Sequence, residues 1–164
     1  CLTLALLYTL RVIAGAAAAG ITLSFWLLAF SAFLFLSLAF VKRYAELDLH
    51  ARNGREQAHG RGYLTSDAPL VQTLGIVSGY ASALVLALYL HSDAVVRLYA
   101  TPELIWCTLP VHLFWISWVW LKAHRGEMDD DPLLFALRDK ASLWSGAAFA
   151  LVLLAGSRSW ISAW

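Results

Sequence analysis

The stretch Phe40-Val41-Lys42-Arg43-Tyr44-Ala45-Glu46-Leu47 sets two cations and an acid at the end of a long uncharged run. On a helix that continues through it, Lys42 and Glu46 are four apart and share a face, with Arg43 beside them. Read locally, the group is either a surface ion pair with a basic stop, or a rim that contacts phosphate oxygens. Arg52, Arg55, His59 and Arg61 follow, ending in Gly60-Arg61-Gly62-Tyr63. The glycines there would let backbone and guanidinium approach a phosphate closely. A basic loop lying against a membrane would equally attract anionic headgroups. A second polar stretch holds Glu127, Asp129, Asp130, Asp131, Pro132, Arg138, Asp139 and Lys140. Such acids suit a divalent cation carrying phosphates. Asp131 before Pro132 also reads as a helix N-cap with proline at the first helical position, which leaves Asp130 and Asp139 for other work.

Long apolar segments must position these groups. No ionisable side chain occurs from Gly20 to Val41, and about twenty helical residues at 1.5 Å each cover the roughly 30 Å hydrocarbon core of a bilayer. The chain is 60% hydrophobic and only 14% charged, with mean hydropathy +0.66, against about 25% charged residues in soluble domains. Five apolar segments near 2–20, 21–41, 70–90, 103–121 and 141–157 predict an all-α polytopic membrane helix bundle. The intervening polar loops, 42–68 and 122–140, hold Lys42, Arg43, Arg52, Arg55, Arg61, Lys122, Arg125, Arg138 and Lys140, whereas the other side has Arg97 and Arg158. The positive-inside rule places both loops in the cytoplasm. Trp106, Trp115, Trp118, Trp120, Trp160 and Trp164 either form interfacial belts or fill apolar positions.

Small residues four apart, Gly15 with Ala19, Ala16 with Gly20 and Gly75 with Gly79, predict close helix approach. Arg11, midway along the first segment, either faces a polar pocket or snorkels to the membrane edge. Cys1 and Cys107 lack metal-type spacing and read as buried structural thiols. The basic residues are not gathered on one polar surface, so nucleic acid is not an expected partner. The chain opens on Cys1 without a basic leader and reads as a piece whose upstream part is missing.

The runs Leu10-Arg11-Val12-Ile13-Ala14-Gly15, Trp26-Leu27-Leu28-Ala29-Phe30, Phe33-Leu34-Phe35-Leu36-Ser37-Leu38 and Val41-Lys42-Arg43-Tyr44-Ala45-Glu46-Leu47 resemble the UbiA superfamily of membrane prenyltransferases. Arg61-Gly62-Tyr63 and Met128-Asp129-Asp130-Asp131-Pro132 with Phe135, Ala136 and Asp139 extend the likeness. The decaprenyl-phosphate phosphoribosyltransferase branch is the most similar, including relatives fused to a haloacid-dehalogenase-like domain. The resemblance implies a nine-helix bundle of which this chain is the last five. The absent N-terminal helices would carry Asn-Asp-x-x-Asp-x-x-x-Asp, the motif for Mg²⁺ and the diphosphate donor. Where prenyltransferases proper have a second Asp-x-x-x-Asp, this chain has Lys42-Arg43-x-x-Glu46.

The implied activity is transfer of 5-phosphoribosyl from phosphoribosyl diphosphate to a polyprenyl phosphate, in a bacterial inner membrane. Lys42, Arg43 and Glu46 would be the catalytic group, with Lys42, Arg43 and Arg61 neutralising phosphates. Tyr44, Glu46 and Tyr63 would orient ribose hydroxyls, and Arg11, Asp130 and Asp139 would also bind substrate. No metal ligand is assigned within this chain, and five helices alone are expected to be inactive. Two alternatives stand beside this one: a prenyltransferase with a prenyl diphosphate donor and another acceptor, and a non-catalytic lipid-binding module.

Overall fold

The computed structural model describes residues 1–20, 24–52, 64–92, 102–128 and 132–156, and every regular element among them is helical. In chain order they are α1 (Leu2–Ala18), α2 (Phe25–Arg52), a 3₁₀ turn (Thr65–Asp67), α3 (Ala68–Leu90), α4 (Pro102–Ile105), α5 (Thr108–His124), α6 (Pro132–Arg138) and α7 (Lys140–Gly156). The stretches Phe25–Arg52, Thr65–Leu90 and Glu103–His124 are long and apolar enough to cross a membrane, and α1 and α7 are shorter apolar helices. The protein is an all-α bundle of membrane character.

Local chemistry sets the boundaries. Beyond α1, Gly20 takes φ +67, a left-handed conformation that favours glycine, and its N–H reaches back to the Ala17 carbonyl at 3.2 Å. The Ser24 hydroxyl accepts from the Leu27 N–H at 3.1 Å, so α2 begins at Phe25 and not at residue 21. Asp67 accepts from the Leu64 N–H at 2.9 Å, and Pro69 sits in the first turn of α3. The expected single segment 103–121 is broken at Trp106 and Cys107. Pro110 explains the break: it has no N–H to offer the Trp106 carbonyl, and its ring would clash there. Pro132 opens α6, as its sequence context predicts; Asp131 lies outside the described residues.

Helix α2 extends well into the polar stretch that begins at residue 42. Helix α2 runs on through Arg52, and its 28 residues are about 42 Å long, some 12 Å more than the hydrocarbon core. Good helix formers carry it past the apolar stretch, with an i,i+4 bond from Arg52 Nε to Asp48 at 2.8 Å and Leu47 fully buried against the bundle.

The main core lies at this charged end. It joins Leu38, Val41, Tyr44 and Leu47 of α2 to Val71 of α3, to Ile116, Val119, Trp120 and Ala123 of α5, and to Phe135 of α6. Gly75 permits it. A Cβ there would fall 2.2 Å from Trp120 Cζ2 and 2.7 Å from Phe40 Cβ, and one at Gly79 would fall 2.8 Å from Ile116 Cγ2. The predicted close approach is therefore real on α3. It is not found on α1, where a Cβ at Gly15 meets nothing within 4 Å. Polar groups close the same contact: the Trp120 indole N–H donates to Ser37 Oγ at 3.1 Å, and Ser37 donates to the Gly75 carbonyl at 2.7 Å. In hydrocarbon such donors must be satisfied inside the protein. The outward faces of α1, α3 and α7 stay apolar, exposing Leu6, Leu10, Leu70, Leu84, Leu151 and others, as lipid requires.

Candidate functional site

Helix phase distributes the charged residues around α2. At about 100° per residue, Glu46 lies roughly 40° and Arg43 roughly 100° around from Lys42, whereas Tyr44 lies about 200° away. Lys42, Glu46 and Arg43 therefore share one arc and Tyr44 looks elsewhere. Glu46 pairs with Arg43, not with Lys42 as the four-residue spacing suggests. Arg43 is 8% exposed, so loss of the Glu46 carboxylate would leave a largely buried cation with less compensation.

Lys42 is half-buried in a crevice with Leu4 and Tyr8 of α1, Leu38 and Ala39 of α2, and Pro132 at the start of α6. Tyr8 stacks on Phe35 at 5.4 Å, and the Arg11 guanidinium lies 5.4 Å from the Tyr8 ring centre. Tyr8 thus links Arg11 to the flank of α2 that carries Lys42. Arg11 itself is exposed and, among the described residues, enters no polar pocket.

On the other side of Glu46, a cavity of about 110 Å³ is lined by Ala45, Glu46, Asp48, Leu49, Arg52, Gly126 and Met128. Gly126 has φ +70, and a Cβ there would fall 2.8 Å from Arg52 Nη2, so the turn after α5 lets the guanidinium lie directly on its backbone. Sequence reasoning treated Arg52 as one cation of a basic loop; its i,i+4 spacing from Asp48 was the signal that it belongs to the helix.

Tyr44 is buried in the core. Its hydroxyl lies 3.1 Å from His124 Nδ1, which Gln72 Nε2 also approaches at 3.3 Å. This network, absent from the sequence reading, ties α2, α3 and α5 together. Asp139, read as free to bind substrate, caps α7: it accepts from the Ser142 N–H at 2.8 Å and from the Trp118 indole at 3.0 Å. Burial works to raise its pKa, but these hydrogen bonds and nearby Lys122 prevail and hold the carboxyl below its ordinary value. Lys122 lies 5.1 Å from the Trp118 ring centre and pairs with Glu127, whose pKa is lowered chiefly by that hydrogen bond. Arg61, Tyr63 and Asp130 lie outside the described residues. Cys107 is exposed, contrary to the expected buried thiol, and Cys1 is half-buried with Sγ 3.8 Å from the Ala39 carbonyl.

The arrangement can place cationic groups against phosphate oxygens where α2 leaves the apolar zone. Among the described residues no three His, Cys, Asp or Glu side chains converge as metal ligands.

Neither a family model nor a solved structure matches the chain. It is 38% identical over 145 residues to the uncharacterised protein y4nM of Sinorhizobium fredii, covering 88% of this chain and 28% of that protein. It is 39% identical over 158 residues to the nodulation protein NoeC of Azorhizobium caulinodans, covering 95% of this chain and 52% of that protein. The chain is similar to both over most of its own length and spans between about a quarter and a half of theirs.

Proposed function

We propose that the chain is part of a UbiA-type transferase of a bacterial inner membrane. It would move 5-phosphoribosyl from phosphoribosyl diphosphate to a polyprenyl phosphate, with the charged ends of its helices in the cytoplasm. The observation that carries this reading is the shared arc of Lys42, Glu46 and Arg43 at the point where α2 leaves the apolar zone. Bacterial relatives are consistent with the setting.

In this reaction an oxygen of the polyprenyl phosphate forms a bond to the anomeric carbon as the bond from that carbon to diphosphate breaks. Charge builds on the departing diphosphate, and fixed cations favour that change because they need no reorganisation. Lys42, in its crevice, is the group assigned to a phosphate. Glu46 holds Arg43 in position. A carboxylate pair at this place would require a cation to meet the same phosphate, so Lys42 and Arg43 set this chain apart from the prenyltransferases proper at that position.

The test supplies membranes containing the protein with radiolabelled phosphoribosyl diphosphate, Mg²⁺ and a polyprenyl phosphate, and follows label into the lipid fraction. Labelled lipid that falls at least tenfold in Lys42→Ala is the expected result. Consumption of a prenyl diphosphate in its place would move the assignment to prenyl transfer, and inertness toward both would leave a lipid-binding module.

A further inference from the structure

A cavity of about 590 Å³ that shares no lining residue with the Lys42 crevice opens between α2, α5, α6 and α7. It follows α7 from Ser142 to Leu153, a length of roughly 16 Å. Phe30, Leu34, Trp115, Phe149 and Leu153 are the large apolar side chains on three of its helices, and no charged side chain lines it among the described residues.

Three wall residues are polar: Ser145, whose hydroxyl donates to the Ala141 carbonyl at 2.8 Å, Ser142, whose buried Oγ has no partner among the described residues, and His112. His112 is 5% exposed, held between Phe30 and Trp115 with ring-centre distances of 5.2 and 6.4 Å. Its Nε2 lies 2.9 Å from Ser82 Oγ, and Ser82 donates to the Gly79 carbonyl at 2.6 Å. A hydroxyl has one proton. With that proton on the Gly79 carbonyl, Ser82 must accept from His112 Nε2–H, which leaves Nδ1 of the neutral ring as a bare acceptor. Nδ1 makes no hydrogen bond within the described residues. An unmatched acceptor in hydrocarbon is unfavourable, and buried histidines in membrane helices mark functional sites.

A second observation is independent of the first. Gly146 lines the cavity from the middle of α7, and a Cβ there would meet nothing within 4 Å. Glycine weakens a helix interior, and no neighbour requires it here. Its effect is to keep the wall open.

We propose that this cavity binds a membrane-soluble, chain-like apolar molecule carrying one hydroxyl, with the O–H donating to His112 Nδ1 and the apolar body lying along α7. A plain hydrocarbon would leave the acceptor unmatched, and an ionised headgroup would find no counter-charge among the described lining residues. The site does not depend on the phosphate chemistry proposed for Lys42.

The protein in lipid nanodiscs is irradiated with a long-chain primary alcohol bearing a diazirine, or with its methyl ether, and labelled peptides are mapped by mass spectrometry. The alcohol should label the α5 and α7 segments around His112 and Gly146, and excess unmodified alcohol should compete. The ether, lacking the donor, should label about fivefold less, the factor expected for one neutral hydrogen bond. His112→Phe should reduce the alcohol to the level of the ether, since Ser82 keeps its bond to Gly79. Gly146→Leu should abolish labelling by both probes while leaving thermal stability unchanged or higher. Equal labelling by alcohol and ether would overturn the proposal. So would label spread over the outward faces of α1 and α3, or cross-linking that shows another polypeptide segment filling the cavity.

Discussion

Replacing Gly75 by alanine adds one methyl group at the tightest point of the bundle. The new Cβ would sit 2.2 Å from Trp120 Cζ2, 2.4 Å from Trp120 Cη2 and 2.7 Å from Phe40 Cβ. The indole is not free to swing aside, because Trp120 is 5% exposed, lies 6.0 Å from the Tyr44 ring centre and is tied through Nε1 to Ser37. Phe40 Cβ cannot rotate away at all, because it is fixed to the α2 backbone, so relief requires α2 and α3 to separate. Overpacking of this kind costs about 1–3 kcal/mol. Loss of the Trp120 to Ser37 hydrogen bond adds about 1 kcal/mol, and the better helix propensity of alanine returns about 1 kcal/mol. The expected net destabilisation is therefore about 1–3 kcal/mol. Thermal unfolding in detergent, followed by tryptophan fluorescence, should show a lower midpoint for Gly75→Ala. Gly146→Ala and Gly15→Ala, where the methyl group meets open space, should match or exceed the parent. A Gly75→Ala protein as stable as those two would refute the packing argument.

Ser37→Ala should cost about 1–3 kcal/mol in the same assay, because it strips the buried Trp120 N–H of its acceptor and the Gly75 carbonyl of a donor; a neutral result would mean that the bridge contributes nothing. Asp139 titrates below its ordinary value in the folded protein. Its contribution is therefore present above the unfolded carboxylate value of about 3.9 and is lost as pH falls through the lower folded value. Between about pH 6 and pH 3 the midpoint of the parent should fall further than that of Asp139→Asn; parallel curves would deny the cap its charge. At neutral pH, Asp139→Ala should lower stability by about 1 kcal/mol through loss of the α7 cap, which chemical denaturation can measure.

Much of the architecture follows from local sequence. Uncharged runs the length of a bilayer dictate apolar helices, Gly75 and Gly79 mark a close approach, and Pro132 marks a helix start; each depends on neighbours a few residues away. The sequence also places Lys42, Arg43 and Glu46 together on any helix that continues past the apolar run. Other features depend on which helices meet. Spacing allows Glu46 either Lys42 or Arg43, and the choice of Arg43 is made where α1 and α6 enclose Lys42. Tyr44 turns to His124 and Gln72 because α3 and α5 pack on its side of α2. Asp139 is held by a tryptophan twenty-one residues away, across the junction of α5 and α7. The pairing of Ser82 with His112, thirty residues apart, likewise needs two helices brought side by side. A single helix fixes the angle at which a side chain leaves it. Only the packed bundle decides whether that angle meets lipid, a cavity or a hydrogen-bond partner.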